Sequence, residues 1–120
     1  MSTKTRPEGC CEVPNQLIPL PAMERARLVA MFKALGDPTR LDIFRLVAAQ
    51  DAPICACDVV DFFEVSQPTI SHHMKVLRDA GLVTVSRRGV WAYYAADARG
   101  LALLRVSLDS FALSPLAVAS

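Results

Sequence analysis

Residues 66–81 spell out a helix with its start, inward face and end all marked, and this segment constrains the fold more than any other. Ser66 is a good N-cap, Pro68 is tolerated in a first turn, and Gly81 supplies the stop. Ile70, Met74 and Leu77 recur at i, i+4, i+7 and predict one inward stripe, which leaves Ser71, His72, Lys75 and Arg78 on the flanks and outer face. Just ahead, residues 54–63 predict a short helix burying Ala56, Val60 and Phe63, with a brief break at Glu64-Val65. A short helix, a tight turn and a polar-faced second helix is the arrangement that sets the second helix into a DNA major groove.

The flanking sequence extends this corner into a domain. A first helix is expected from about Ala22, with Leu28, Phe32 and Leu35 on one face and Gly36 as its stop. Asp37-Pro38 reads as N-cap and first-turn proline of a second helix whose Ile43, Leu46 and Val47 face inward. After residue 81, Val83 and Val85 alternate with Thr84 and Ser86, Arg87-Arg88-Gly89 predicts a short turn, and residues 90–95 run back through Trp91, Tyr93 and Tyr94. Asp97 can cap a last helix in which Leu101, Leu104, Leu108 and Phe111 recur in the rhythm of a helix–helix seam, against either a second copy or the chain's own first helix. The expected fold is mainly α with a two-stranded β-hairpin wing (α+β), a dimeric winged helix–turn–helix. Residues 22–113 would form it, between a flexible N-terminal arm (1–21) broken by Pro7, Pro14, Pro19 and Pro21 and a C-terminal tail (114–120).

Composition supports a single domain with a real core: 120 residues, 52% hydrophobic and 21% charged. The net charge of +1 is uninformative, but its distribution is not. Residues 51–64 hold Asp51, Asp58, Asp61 and Glu64 and no base, whereas residues 66–94 set Lys75, Arg78, Arg87 and Arg88 against Asp79 alone. Such a locally basic face suits phosphates. The first twelve residues lack an apolar signal region, and no apolar run approaches the ~20 residues of a membrane span, so a cytoplasmic location without membrane contact is expected. Thiols stay reduced there, and Cys10, Cys11, Cys55 and Cys57 are read as ligands or inert thiols before disulfides.

Two stretches resemble the ArsR/SmtB family of metal-sensing repressors. Phe32-Lys33-Ala34-Leu35-Gly36-Asp37-Pro38-Thr39-Arg40-Leu41 is similar to the start of that family's second helix. Ser66-Gln67-Pro68-Thr69-Ile70-Ser71-His72-His73-Met74-Lys75-Val76-Leu77, followed by Ala80-Gly81-Leu82-Val83, resembles its recognition helix, and the likeness covers about residues 22–112. The resemblance implies a homodimer joined by the first and last helices and bound to an inverted repeat in double-stranded operator DNA. By match to the family pattern, Gln67, Thr69, Ser71 and His72 lie nearest the bases, while Lys75, Arg87 and Arg88 contact phosphates. Adjacent histidines on a helix point about 100° apart, so His72 and His73 are not expected to share a metal; His73 is expected partly buried and His72 outward.

Ile54-Cys55-Ala56-Cys57-Asp58-Val59 resembles the family's metal box, where a Cys-x-Cys pair takes soft ions. Because i and i+2 diverge on a regular helix, Cys55 and Cys57 are not expected to converge without distortion, and the metal site is expected to join one or both to Cys10 and Cys11 of an arm, with Cys57 the least secure ligand. Three thiolates suit trigonal arsenic(III) or antimony(III), and four suit cadmium, lead or zinc. The adjacency of Cys10 and Cys11 favours arsenic(III) as inducer. The last helix has no His, so the family's interfacial zinc site is not built. The expected function is an arsenic-responsive repressor released from DNA by the metalloid; the alternatives are a cadmium/lead sensor using four thiolates and a thiol redox switch. No enzyme is expected, since neither Cys-x-x-Cys nor a nucleophile elbow occurs.

Overall fold

The computed structural model describes residues 19–111, and the order of elements is α1 (Ala22–Leu35), α2 (Pro38–Ala48), β1 (Ile54–Cys55), α3 (Ala56–Phe63), α4 (Gln67–Asp79), β2 (Val83–Arg88), β3 (Trp91–Ala96) and α5 (Ala98–Asp109). The helix starts follow their caps. Asp37 Oδ2 accepts from the Arg40 backbone N–H at 2.9 Å, Ser66 Oγ from that of Thr69 at 3.4 Å, and Asp97 Oδ1 from that of Arg99 at 2.9 Å.

The core sits where α1, α2, α4 and the sheet meet. Ile43, Val59, Ile70, Met74, Leu77 and Leu82 are fully buried, so the stripe expected on α4 is the centre of the molecule. On α1 the expected stripe is corrected: Leu28 is buried with Met31 and Ala34, while Phe32 turns outward and Leu35 is half-buried. Phe44 joins Ile43 and Val47 inside α2, and Leu46 is half-buried.

Three corrections bear on the site. The third helix begins at Ala56, because Ile54 and Cys55 are extended and pair with β3; it buries Val59, leaving Ala56, Val60 and Phe63 half-buried. The two-stranded hairpin is therefore part of a three-stranded antiparallel sheet of order β1-β3-β2. Arg87 and Arg88 are not turn residues. Arg88 pairs with Trp91, which leaves the two-residue turn Gly89-Val90, and Gly89 has the positive φ of 62° that a type II′ turn requires at its first central position.

The turn between α3 and α4 is Glu64-Val65-Ser66, with Glu64 left-handed at φ 54°. Asp37-Pro38-Thr39-Arg40 also does more than cap. Arg40 Nε donates to the Ala34 carbonyl at 2.8 Å, closing the end of α1, and its Nη1 lies 3.4 Å from His73 Nδ1 on α4. Among the described residues no helix is long and apolar enough to cross a membrane.

Candidate nucleic-acid interface and thiol site

Burial of Ile70, Met74 and Leu77 decides which way the rest of α4 points. Gln67, Thr69, Ser71, His72 and Lys75 are all exposed on its outer side, as expected. Thr69 Oγ1 lies 2.8 Å from Ser66 Oγ, so the first turn is stiffened by the cap that starts it. Lys75 Nζ and Arg78 Nε each lie 3.9 Å from Asp79, and pairs this exposed bind weakly and leave both cations available to phosphates.

Arg87 and Arg88 are exposed at the end of β2. They lie on opposite faces of the sheet, because successive strand residues alternate. Arg87 joins Gln67 and Ser71 of α4 around a small polar cavity of about 160 Å³ whose wall also includes Cys57, Trp91 and Tyr94. The Arg88 guanidinium lies over the Tyr93 ring, 4.5 Å from its centroid. Arg87 of the wing and the outer side of α4 thus present one cationic and hydrogen-bonding surface, with Arg88 on the other face of the sheet.

His73 is half-buried and His72 exposed, with ring centroids 5.8 Å apart and tilted by 54°. Burial pushes the His73 pKa below the usual histidine range; the Asp37 charge opposes this, and Arg40 and His72 add to the lowering. Arg40 can only donate, so the contact at Nδ1 requires a neutral imidazole with its proton on Nε2. The Arg40 backbone N–H holds the Asp37 carboxyl below its ordinary range, desolvation opposes it, and the Arg40 and His73 charges assist. His73 is partly buried, as the sequence suggested, and its contact with Arg40 joins α2 to α4.

The cysteines depart from expectation. Cys55 and Cys57 converge, their Sγ atoms meeting as a disulfide with the Cα atoms 5.2 Å apart. Helical divergence does not apply, because Cys55 is the extended N-cap of α3 (φ −65°, ψ 139°) and only Cys57 lies on the helix. The Cys57 backbone N–H also points at Cys55 Sγ, at 3.4 Å. Cys55 is 6% exposed, whereas Cys57 is open to solvent. Cys10 and Cys11 lie outside the described residues. Among the described residues no group of three or more His, Cys, Asp or Glu side chains could hold a metal. Once reduced, the two thiolates would supply part of a thiophilic ion's shell, and a third donor would have to come from outside the described residues.

Sequence reasoning missed Tyr93, which holds Arg88, and Arg40, which locks α1 to α2. Alternation in β3 marks Tyr93 as a strand residue, but only the register shows what stands opposite it.

A capped reading helix backed by a buried stripe and flanked by an arginine-bearing hairpin defines a winged helix–turn–helix DNA-binding protein. Within that class the chain belongs to the ArsR family: the model of that family, described as bacterial regulatory protein, arsR family, matches residues 37–85, from the cap of α2 into β2. The chain is 39% identical over 87 residues to an arsenical resistance operon repressor of Staphylococcus xylosus, covering 72% of this chain and 82% of that one. It is 44% identical over 63 residues to the repressor of the same name in Bacillus subtilis, covering 52% and 59%. A crystal structure of a possible transcriptional regulator for arsenical resistance superposes with a TM-score of 0.63 at 32% identity, over 75% of this chain and 92% of that one.

Proposed function

We propose that this chain is a cytoplasmic repressor that binds operator DNA as a homodimer and leaves it when arsenic(III) or antimony(III) is captured by cysteine thiolates. The observation that carries the reading is the convergence of Cys55 and Cys57 where the chain enters the helix–turn–helix, with Cys57 in the same cavity wall as Gln67, Ser71 and Arg87. A soft ion held there sits next to the groups assigned to DNA. Cys10 or Cys11 is the proposed source of the third thiolate, and the names of the Staphylococcus xylosus and Bacillus subtilis relatives support arsenic over cadmium or lead.

Ser71, Gln67, Thr69 and His72 are assigned to base edges, and Lys75, Arg87 and Arg88 to phosphates. Reduced protein on a fluorescent duplex of its own upstream region should show anisotropy falling as arsenite is added, with operator affinity reduced about 5- to 150-fold, the usual range of such coupling. Cys55→Ser should stay bound. Release by cadmium alone would select the four-thiolate sensor instead.

The Cys55–Cys57 bond favours a second reading, a redox switch. One peroxide would take two electrons and two protons from the pair, giving the disulfide and two waters. DNA release by peroxide, reversed by a dithiol, with no response to arsenite or cadmium, would select it.

A further inference from the structure

We propose that Tyr93 is the positioning residue that carries the state of the Cys55–Cys57 pair to Arg88 of the wing. The inference rests on the thiol-responsive reading above and names its route.

The route is a row across the sheet. In register, Cys55 of β1 stands opposite Tyr93 of β3, and Tyr93 stands opposite Ser86 of β2. Directly opposed residues share a face, with Cβ atoms about 4.5–5.5 Å apart. Arg88, two residues beyond Ser86, is on that same face and sets its guanidinium over the Tyr93 ring. Buried Cys55, Tyr93 and the exposed cation of Arg88 therefore form one continuous line from the thiol pair to the wing.

A rearrangement at the sulfurs reaches this line directly, beside the packing of α3 on α4. β1 is two residues long and runs directly into α3, whose second residue is Cys57. Capturing an ion, or making and breaking the sulfur–sulfur bond, must reorder the corner between Cys55 and Cys57. With two register pairs holding β1, the displacement passes to β3 at Tyr93 and Tyr94. Tyr93 then shifts under Arg88, while Tyr94, on the other face, lines the cavity that holds Arg87, Gln67 and Ser71. Tyrosine suits the relay because its ring offers a cation an attractive face that an aliphatic side chain lacks.

The test compares Tyr93→Phe, Tyr93→Leu and Arg88→Gln in the full chain, reduced, with arsenite as probe. The readout is the release factor, operator Kd with saturating arsenite divided by Kd without it; arsenite affinity is titrated separately. Tyr93→Phe should keep the wild-type release factor. Tyr93→Leu should lower it about tenfold or to near unity, a large part of an ordinary coupling, with arsenite affinity unchanged within about twofold. Arg88→Gln, at an exposed position that cannot disturb the core, should lower it similarly, and the double variant should fall no further. Equal release in Tyr93→Leu and wild type, or additive losses in the double variant, would overturn the relay while leaving the repressor reading intact. If wild type is not released by arsenite, cadmium or peroxide, both fall together.

Discussion

His73 shows how one side chain of α4 can serve the fold while its neighbour His72 stays exposed. Its Nδ1 faces Arg40, its neighbours include Asp37 and His72, and its pKa is lowered chiefly by burial. The unfolded chain takes up a proton near pH 6.5 that the folded chain refuses until lower pH. Its stabilising contribution is therefore complete above about pH 6.5 and is lost as pH falls through the folded value. Wild-type urea midpoints should drop between pH 7 and pH 5 more steeply than those of His73→Asn, which keeps an acceptor near Nδ1 without titrating; equal slopes would assign the acid sensitivity to other groups. Arg87 is a charge of a different kind, exposed and assigned to a phosphate. In Arg87→Ala the plot of log Kobs against log salt should flatten by about 0.9. An unchanged slope would remove Arg87 from the interface.

At the scale of elements, α5 depends on a contact that no pattern in the sequence announces. Gly100 is buried in its first turn, and a Cβ there would overlap the carbonyl oxygen of Gly81, the left-handed residue (φ 80°) that ends the α4 corner. Two backbones meet with no room for a side chain. Gly100→Ala would ordinarily favour a helix, but here it must push α5 off the corner, at a cost of about 1–3 kcal/mol. Each kcal/mol lowers Tm by roughly 4–8 °C in a domain this size. A thermal melt equal to or above wild type would show that the two glycines can part freely. The short α3 depends on a similar backbone device. Its C-cap, Glu64, is left-handed without being glycine, a conformation that costs about 1–2 kcal/mol. It reverses the chain quickly enough for Ser66 to start α4.

Taken whole, the described residues leave one face apolar. Phe32 of α1, Val106 of α5 and Phe111 just beyond it line a groove of about 420 Å³ with Leu20, Leu28 and Leu103, and Val106 and Phe111 are 69% and 68% exposed. The seam expected on α5 proves to be divided: Leu104 is buried in the chain's own core, while Leu108 and Phe111 are not. A second copy is the proposed cover. Val106→Asp combined with Phe111→Asp should sediment as a monomer and lose most operator affinity; a persistent dimer would place the interface elsewhere.

Much of this molecule was determined by sequence alone, because its signals are local. Caps at Asp37, Ser66 and Asp97 name helix starts, since each side-chain oxygen serves a backbone N–H two or three residues away. The stripe of Ile70, Met74 and Leu77 decides the outer face of α4, since helical period alone orders it. Tertiary structure decided what depends on residues distant in sequence. Cys55 and Cys57 converge only because β3 holds Cys55 extended. Tyr93 meets Arg88 only through strand register, and on α1 the core takes Leu28, Met31 and Ala34 and leaves Phe32 outside. Periodicity marks faces, but the partner for each face is chosen by packing, which couples positions that no local spacing relates.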